Sequence, residues 1–197
     1  QVVSANVYSR NRDAASLKTW LDQIQPDVVF ISEVDPWWAA QIETWKDNWP
    51  HQILGPRGDN FGLALISQHP LTESEVKFLE LEIPAVAARI TAHGKTWSLA
   101  GLHILPPGGR RTAVRNRQLA EAAIWIKSIP EPRIVVGDLN TAPASPAFRD
   151  FLQDAGLRDS RQGFGWQAGA LTKAVRSFSV GGPGKPENFP HLPPLIR

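Results

Sequence analysis

Four strand-like runs in this chain carry a polar side chain that can do chemistry. SANV contains Asn6, VVFISE ends in Glu33, SLAGLH ends in His103, and IVVGDLN ends in Asp138 and Asn140. In sheets joined by helical crossovers, ligand sites gather beyond the carboxyl ends of the strands. Strands brought side by side would therefore place an amide, a carboxylate, an imidazole and an Asp–Asn pair at one rim. Glu33 offers hard oxygen donors, suited to Mg²⁺ or Mn²⁺ and poorly suited to soft metals. Asp138 can orient or deprotonate a water. Asn140 and Asn6 can hold a phosphate oxygen without repelling it. His103 can stabilise the charge that develops on a phosphoryl group. Together these residues describe metal-assisted phosphoester hydrolysis.

Taken singly, each residue has a plainer reading. Glu33 can be a strand end meeting solvent, His103 a hydrogen-bonded loop histidine, and Asp138 a turn or capping residue. The spacing of GDLN after a Val/Ile strand is the most specific feature. Arg110, Arg111, Arg115 and Arg117 stand at the start of a predicted helix. They can meet substrate phosphates or form a solvated and packed helix face. Asn60 can reach into a cleft or serve a turn. Trp37 and Trp38 can stack on bases or lipid, or cover core.

The elements that must position these residues alternate strand and helix. Gln1–Val7 is β-prone. Leu17, Trp20, Leu21 and Ile24 make one apolar helix face over Asp13–Gln25, and Pro26 stops it. Asp27–Glu33 reads as a buried strand, and Asp35-Pro36 as the start of a helix reaching about Asp47. Phe61–Ser67, Ala85–Ala92, Thr96–His103 and Arg133–Val136 read as strands. Arg110–Ser128 reads as a long helix, and Ser145-Pro146 opens another that ends near Gly156.

The composition fits this picture. Of 197 residues, 42% are hydrophobic and 20% charged, a globular balance that excludes a collagen-like or disordered chain. There is no Cys, which excludes disulfides, thiolate metal sites and cysteine nucleophiles. No apolar run is long enough to span a bilayer, so stable membrane insertion is not expected. Residues 1–100 carry 8 basic and 12 acidic side chains, and residues 101–197 carry 13 and 7. The basic second half favours a polyanionic or phosphate-bearing partner.

The chain resembles the endonuclease/exonuclease/phosphatase superfamily. The resemblance rests on Asn6 in SANV, Glu33 in VVFISEVD, DNFGLALIS at 59–67 and His103 in GLHILPP. Arg115 and Gln118 in RNRQ, and VVGDLNTAP at 135–143, complete it. It implies an α/β fold: a four-layer α/β sandwich, with two packed mixed β-sheets flanked by helices. It implies a divalent cation, Mg²⁺ or Mn²⁺, and hydrolysis of a phosphodiester by an in-line water, with DNA or RNA the favoured substrate. By position, Glu33 resembles the metal ligand and Asn6 the amide beside metal and phosphate. His103, Asp138 and Asn140 resemble the catalytic set, and Asn60 and Arg115 are the substrate-binding candidates. Similarity to bacterial members with a membrane anchor implies a periplasmic or extracytoplasmic setting.

The resemblance covers about residues 1–166, taken as one domain. Residues 167–197 read as an irregular Gly/Pro-rich tail, loop or partly disordered. Two further Asp-His motifs belong to the family, and this chain contains no Asp-His dipeptide. LPPLIR at 192–197 resembles the segment that precedes the first of them. The expectation is thus a C-terminally truncated or altered member, with His191 a weak substitute for the family's last histidine. A catalytically silent domain that binds phosphate-bearing ligands or a protein partner is the alternative.

Overall fold

The computed structural model describes residues 1–160 and the backbone of Val175–Ser179. Strands β1 (Val2–Asn6), β2 (Val28–Ser32), β3 (His51–Gly55), β4 (Leu63–Ser67) and β9 (Val175–Ser179) form one mixed sheet, in the order β3-β4-β2-β1-β9. Strands β5 (Leu71–Leu79), β6 (Ile83–Ala92), β7 (Lys95–His103) and β8 (Arg133–Asp138) form a second, in the order β5-β6-β7-β8. Each sheet combines antiparallel pairs with a parallel pair at its functional side, β1–β2 in the first and β7–β8 in the second.

Alternation along the strands creates three apolar layers. In β2, Val29 and Ile31 face helices α1 (Ala14–Ile24) and α2 (Pro36–Glu43), packing with Leu17, Leu21, Trp38 and Ile42. Val28 and Phe30 face the other sheet and meet Val86, Ile90 and Leu99. This explains the unbroken apolar run: β2 is covered on both faces. The second sheet turns Ala85, Ala100 and Leu102 outward onto α3 (Arg111–Ser128) and α4 (Pro146–Ala155). The order is helices, sheet, sheet, helices, the expected four-layer sandwich.

Helix starts follow local chemistry. Asp35 accepts from Trp38 N at 2.9 Å, and Ser145 accepts from Phe148 N at 3.2 Å, each followed by proline at the first helical position. Strands β3 and β5 were absent from the sequence expectation. β5 is an exposed edge strand, LTESEVKFL, whose charges protect it from pairing with another chain and also hide its strand character. Strand β9 lies within the stretch expected to be irregular, and pairs in parallel with β1. The rest of that tail, including His191, lies outside the described residues. No helix among the described residues is long and apolar enough to cross a membrane.

The sheets approach most closely where β7 passes Phe30. A Cβ at Gly101 would stand 2.2 Å from the Phe30 ring. Both positions lie in backbone-constrained strands, so the ring cannot simply withdraw. Gly101→Ala should therefore lower stability by about 1–3 kcal/mol, the usual cost of overpacking. An unchanged midpoint in urea unfolding would contradict this account of the sheet spacing.

Candidate active site

The parallel pairs end together at one rim. Asn6 is level with Ser32, the residue before Glu33, and His103 is level with Asp138. Because β1 and β2 both pack across β8, these ends face one another from the two sheets. They border a cleft of about 620 Å³ whose lining includes Glu33, Asn60, His103, Asp138 and Asn140. Sequence positions more than a hundred apart are thereby brought to a single site.

Glu33 is held by neighbours on both oxygens. Asn6 Nδ2 donates to Oε1 at 2.8 Å, and Ser9 N donates to Oε2 at 3.3 Å. Asn6 Oδ1 is itself taken by Tyr8 N at 2.9 Å. Asn6, expected beside the metal, thus stands against Glu33, with its amide N–H on the carboxylate and one lone pair of its carbonyl oxygen taken by Tyr8 N. Ser9 Oγ also donates to Asn60 Oδ1 at 2.5 Å, joining the DNFG loop to the β1 loop.

On the facing sheet, Asn140 N donates to Asp138 Oδ1 at 2.9 Å, and Asn140 Nδ2 donates to Ile104 O at 2.7 Å. The GDLN turn bends back on its own carboxylate. Gly137 permits this, with φ 122, and a Cβ there would stand 1.9 Å from Leu102 O. Glu33, Asn60 and Asn140 have φ of 64, 68 and 47. Left-handed backbone is uncommon for non-glycine residues, and these three are among nine such positions in the described chain.

Arg115 is placed differently from the expectation. It is buried, and its Nη1 donates to Asn140 O at 2.5 Å while Nε donates to Asn116 Oδ1 at 2.8 Å. It supports the GDLN turn from behind instead of facing substrate. Arg110 and Arg111 line the cleft in its place, and Arg117 pairs with Glu80. Trp38 is core, donating from Nε1 to Asn11 O at 2.8 Å, and Trp37 meets it edge-on.

Residues the sequence reading missed include Ser9, which grips Glu33, and Phe61, whose ring centroid lies 5.1 Å from that of His103. Phe61 carried a signal, since it belongs to the DNFG segment. Ser9 contributes chiefly a backbone N–H to Glu33, which no residue type announces.

His103 is buried, and that burial pushes its pKa below the usual histidine value. The charges of Asp138 and Glu33 and a hydrogen bond to the Asn60 backbone oppose the shift without cancelling it. His103 Nδ1 is buried with no partner among the described residues.

The sequence matches the Endonuclease/Exonuclease/phosphatase family over residues 3–194. A search of curated proteins finds no match. Among solved structures, the chain is similar to D. rerio TDP2 complexed with a single-strand DNA product, at 22% identity and TM-score 0.63. That similarity covers 84% of this chain and 70% of the other. It is similar to sphingomyelinase C from Streptomyces griseocarneus, at 18% identity and TM-score 0.60, covering 80% of this chain and 70% of the other. A beta toxin mutant from Staphylococcus aureus with bound magnesium ions matches at 22% identity and TM-score 0.58, again covering 80% and 70%.

The His103 environment has a measurable sign. In metal-free protein, the ring should titrate below about 6.5. Asp138→Asn removes a charge that favours the imidazolium, so it should lower that midpoint further. Stability follows the same proton. The unfolded chain takes it up first as pH falls, so stability from this group is present above about 6.5 and declines below it. NMR titration of the His103 ring checks both statements, and a midpoint raised by Asp138→Asn would contradict them.

Proposed function

The chain belongs to the endonuclease/exonuclease/phosphatase family, a family of metal-dependent hydrolases of phosphodiester bonds, and from that premise we propose that it is a Mg²⁺-dependent phosphodiesterase acting on nucleic acid. The observation that carries this reading is the convergence of Glu33, His103, Asp138 and Asn140 on one cleft.

The donor set fits a hard cation. Glu33 supplies carboxylate oxygens oriented by Asn6 and Ser9. Mg²⁺ commonly keeps several waters and takes substrate phosphate oxygens beside one or two carboxylates, and Glu33 and Asp138 both line the cleft. Bound at Glu33, Mg²⁺ would supply Lewis-acid polarisation of the scissile phosphoryl group.

The remaining work falls to the chain's own side chains. Asp138 is the carboxylate placed to orient the attacking water and accept its proton. Asn140 spends one Nδ2 hydrogen on Ile104 O and keeps a second for a phosphate oxygen. His103 lines the cleft as the group that would meet the developing phosphoryl charge, and the carboxylates of Asp138 and Glu33 favour its imidazolium against the opposing effect of burial. Arg110 and Arg111 sit where α3 begins, against the favourable direction of the helix dipole. An anionic substrate in the cleft offsets that penalty and gives the two guanidinium groups phosphates to hold. The single-strand DNA product in the TDP2 structure and the charge of the second half support nucleic acid over a lipid head group.

Hydrolysis of bis-nitrophenyl phosphate and of single-stranded and plasmid DNA tests the reading. Turnover should require Mg²⁺, stop with EDTA, and disappear in Glu33→Gln. Asp138→Asn should lower kcat by about 10²- to 10⁴-fold, the usual size of a general-base contribution. A fully active Glu33→Gln would remove the proposed metal ligand. Saturable DNA binding without turnover in Mg²⁺ or Mn²⁺ would instead show a silent, phosphate-binding domain.

A further inference from the structure

A second group of potential ligands lies at the other end of the same strands. Asp27 immediately precedes β2, as Glu33 immediately follows it. At about 3.3 Å per residue, the two carboxylates stand about 20 Å apart along the sheet. Asp27 Oδ1 lies 2.9 Å from His69 Nε2 and 2.9 Å from His93 Nε2. The candidate ligand atoms all fall within 4.8 Å of one another.

The three side chains come from three segments and both sheets. His69 follows β4, whose Ser67 is level with Val28 of β2, and Ser67 Oγ accepts from His69 N at 2.9 Å. Gln68 N donates to Asp27 O at 2.9 Å, fixing the two segments to each other. His93 occupies the first position of the two-residue turn between β6 and β7, across the sandwich. Its φ is 52 and that of Gly94 is 72, a turn geometry that favours Asn-Gly and accepts His less readily. The two imidazole planes meet at 74°, with centroids 5.7 Å apart. Both Nε2 atoms reach the same carboxylate oxygen, so the two imidazoles and the carboxylate converge on one point.

We infer that Asp27, His69 and His93 form a second cation site, selective for a borderline divalent transition metal such as Zn²⁺, that fastens the two sheets at the rim opposite the cleft. Two imidazoles and one carboxylate are donors for zinc, cobalt, nickel or copper ions, and a poor set for Mg²⁺. The alternative is a plain network in which both imidazoles donate to Asp27 Oδ1 and the Gln1 ammonium pairs with Oδ2. It accounts for the distances equally well, and metal affinity separates the two.

Zn²⁺ is titrated calorimetrically into the protein at about pH 7.5, where free imidazole is neutral, with excess Mg²⁺ present. Co²⁺ absorption serves as a second readout, since its visible bands intensify when the ion passes from six-coordinate in water to a protein site of lower coordination number. Wild type and Glu33→Gln should bind the ion alike. His93→Asn keeps a residue suited to the turn and should weaken binding at least about tenfold. His69→Gln should do the same. At a hundredfold excess of Zn²⁺ over Kd, the wild-type unfolding midpoint should rise by roughly 5–10 °C, and that of His93→Asn should not follow. Absence of Zn²⁺ binding, equal affinity in His93→Asn, or loss of binding in Glu33→Gln would each overturn the assignment. The last outcome would place the ion in the cleft.

Discussion

Everything at the catalytic rim depends on how closely the two sheets pack. Glu33 and Asn6 belong to one sheet, and His103 and Asp138 to the other. Among the described residues, no backbone hydrogen bond joins strands across the gap; between the two rims, apolar contact sets their separation. Phe30 fills the space that Gly101 leaves, and Val28, Val86, Ile90 and Leu99 complete the layer. A side chain at Gly101 would push the sheets apart and move a carboxylate relative to an imidazole. Sub-ångström positioning of reacting groups is thus set in a dry layer that touches no substrate.

The rim itself runs against the rules that make the rest stable. Glu33, Asn60 and Asn140 sit in left-handed backbone, at about 1–3 kcal/mol each for a sparsely populated conformation. A domain holds only about 5–15 kcal/mol of net stability, so such a cluster survives only where neighbours over-determine it. They do here. Asn6 and Ser9 fix Glu33, Arg115 and Ile104 fix Asn140, and Ser9 fixes Asn60. His103 adds a second conflict, its burial disfavouring the imidazolium while two nearby carboxylates favour it. Opposed influences of this kind leave a group responsive to whatever charge arrives next.

Most of this was legible in residues whose environment is one-sided. β2 is covered on both faces, so its apolar run is unbroken. The Val/Ile strand before GDLN gave its end away through the apolar run and the Gly-Asp that closes it. β3 and β5 lie at sheet edges, where exposure mixes polar residues into the pattern and erases it. Arg115 stood in a basic cluster that suggested phosphate binding. Its helical spacing pointed inward, for Arg115, Gln118, Leu119 and Ala122 share the buried face of α3. The histidines at the far rim had no signal at all. Pairing of β2 with β4 brings His69 to Asp27, and the stacking of the sheets brings His93, both joins between residues distant in the chain.

Two strands, one from each sheet, run the length of the sandwich between its two polar rims. β2 leads from Asp27 to Glu33, and β7 leads from the His93 turn to His103. The chemistry differs at the two ends because the donors differ. A carboxylate flanked by amides suits a hard ion that keeps its waters, whereas a carboxylate between two imidazoles suits an ion that sheds them. Each strand is stiff over its few residues and pinned by neighbours on both sides. A tie between their starting ends therefore limits the angle at which the sheets cross. Glu33 and His103 ride at the far ends of those same strands, so the fit of the cleft inherits whatever holds the opposite rim together.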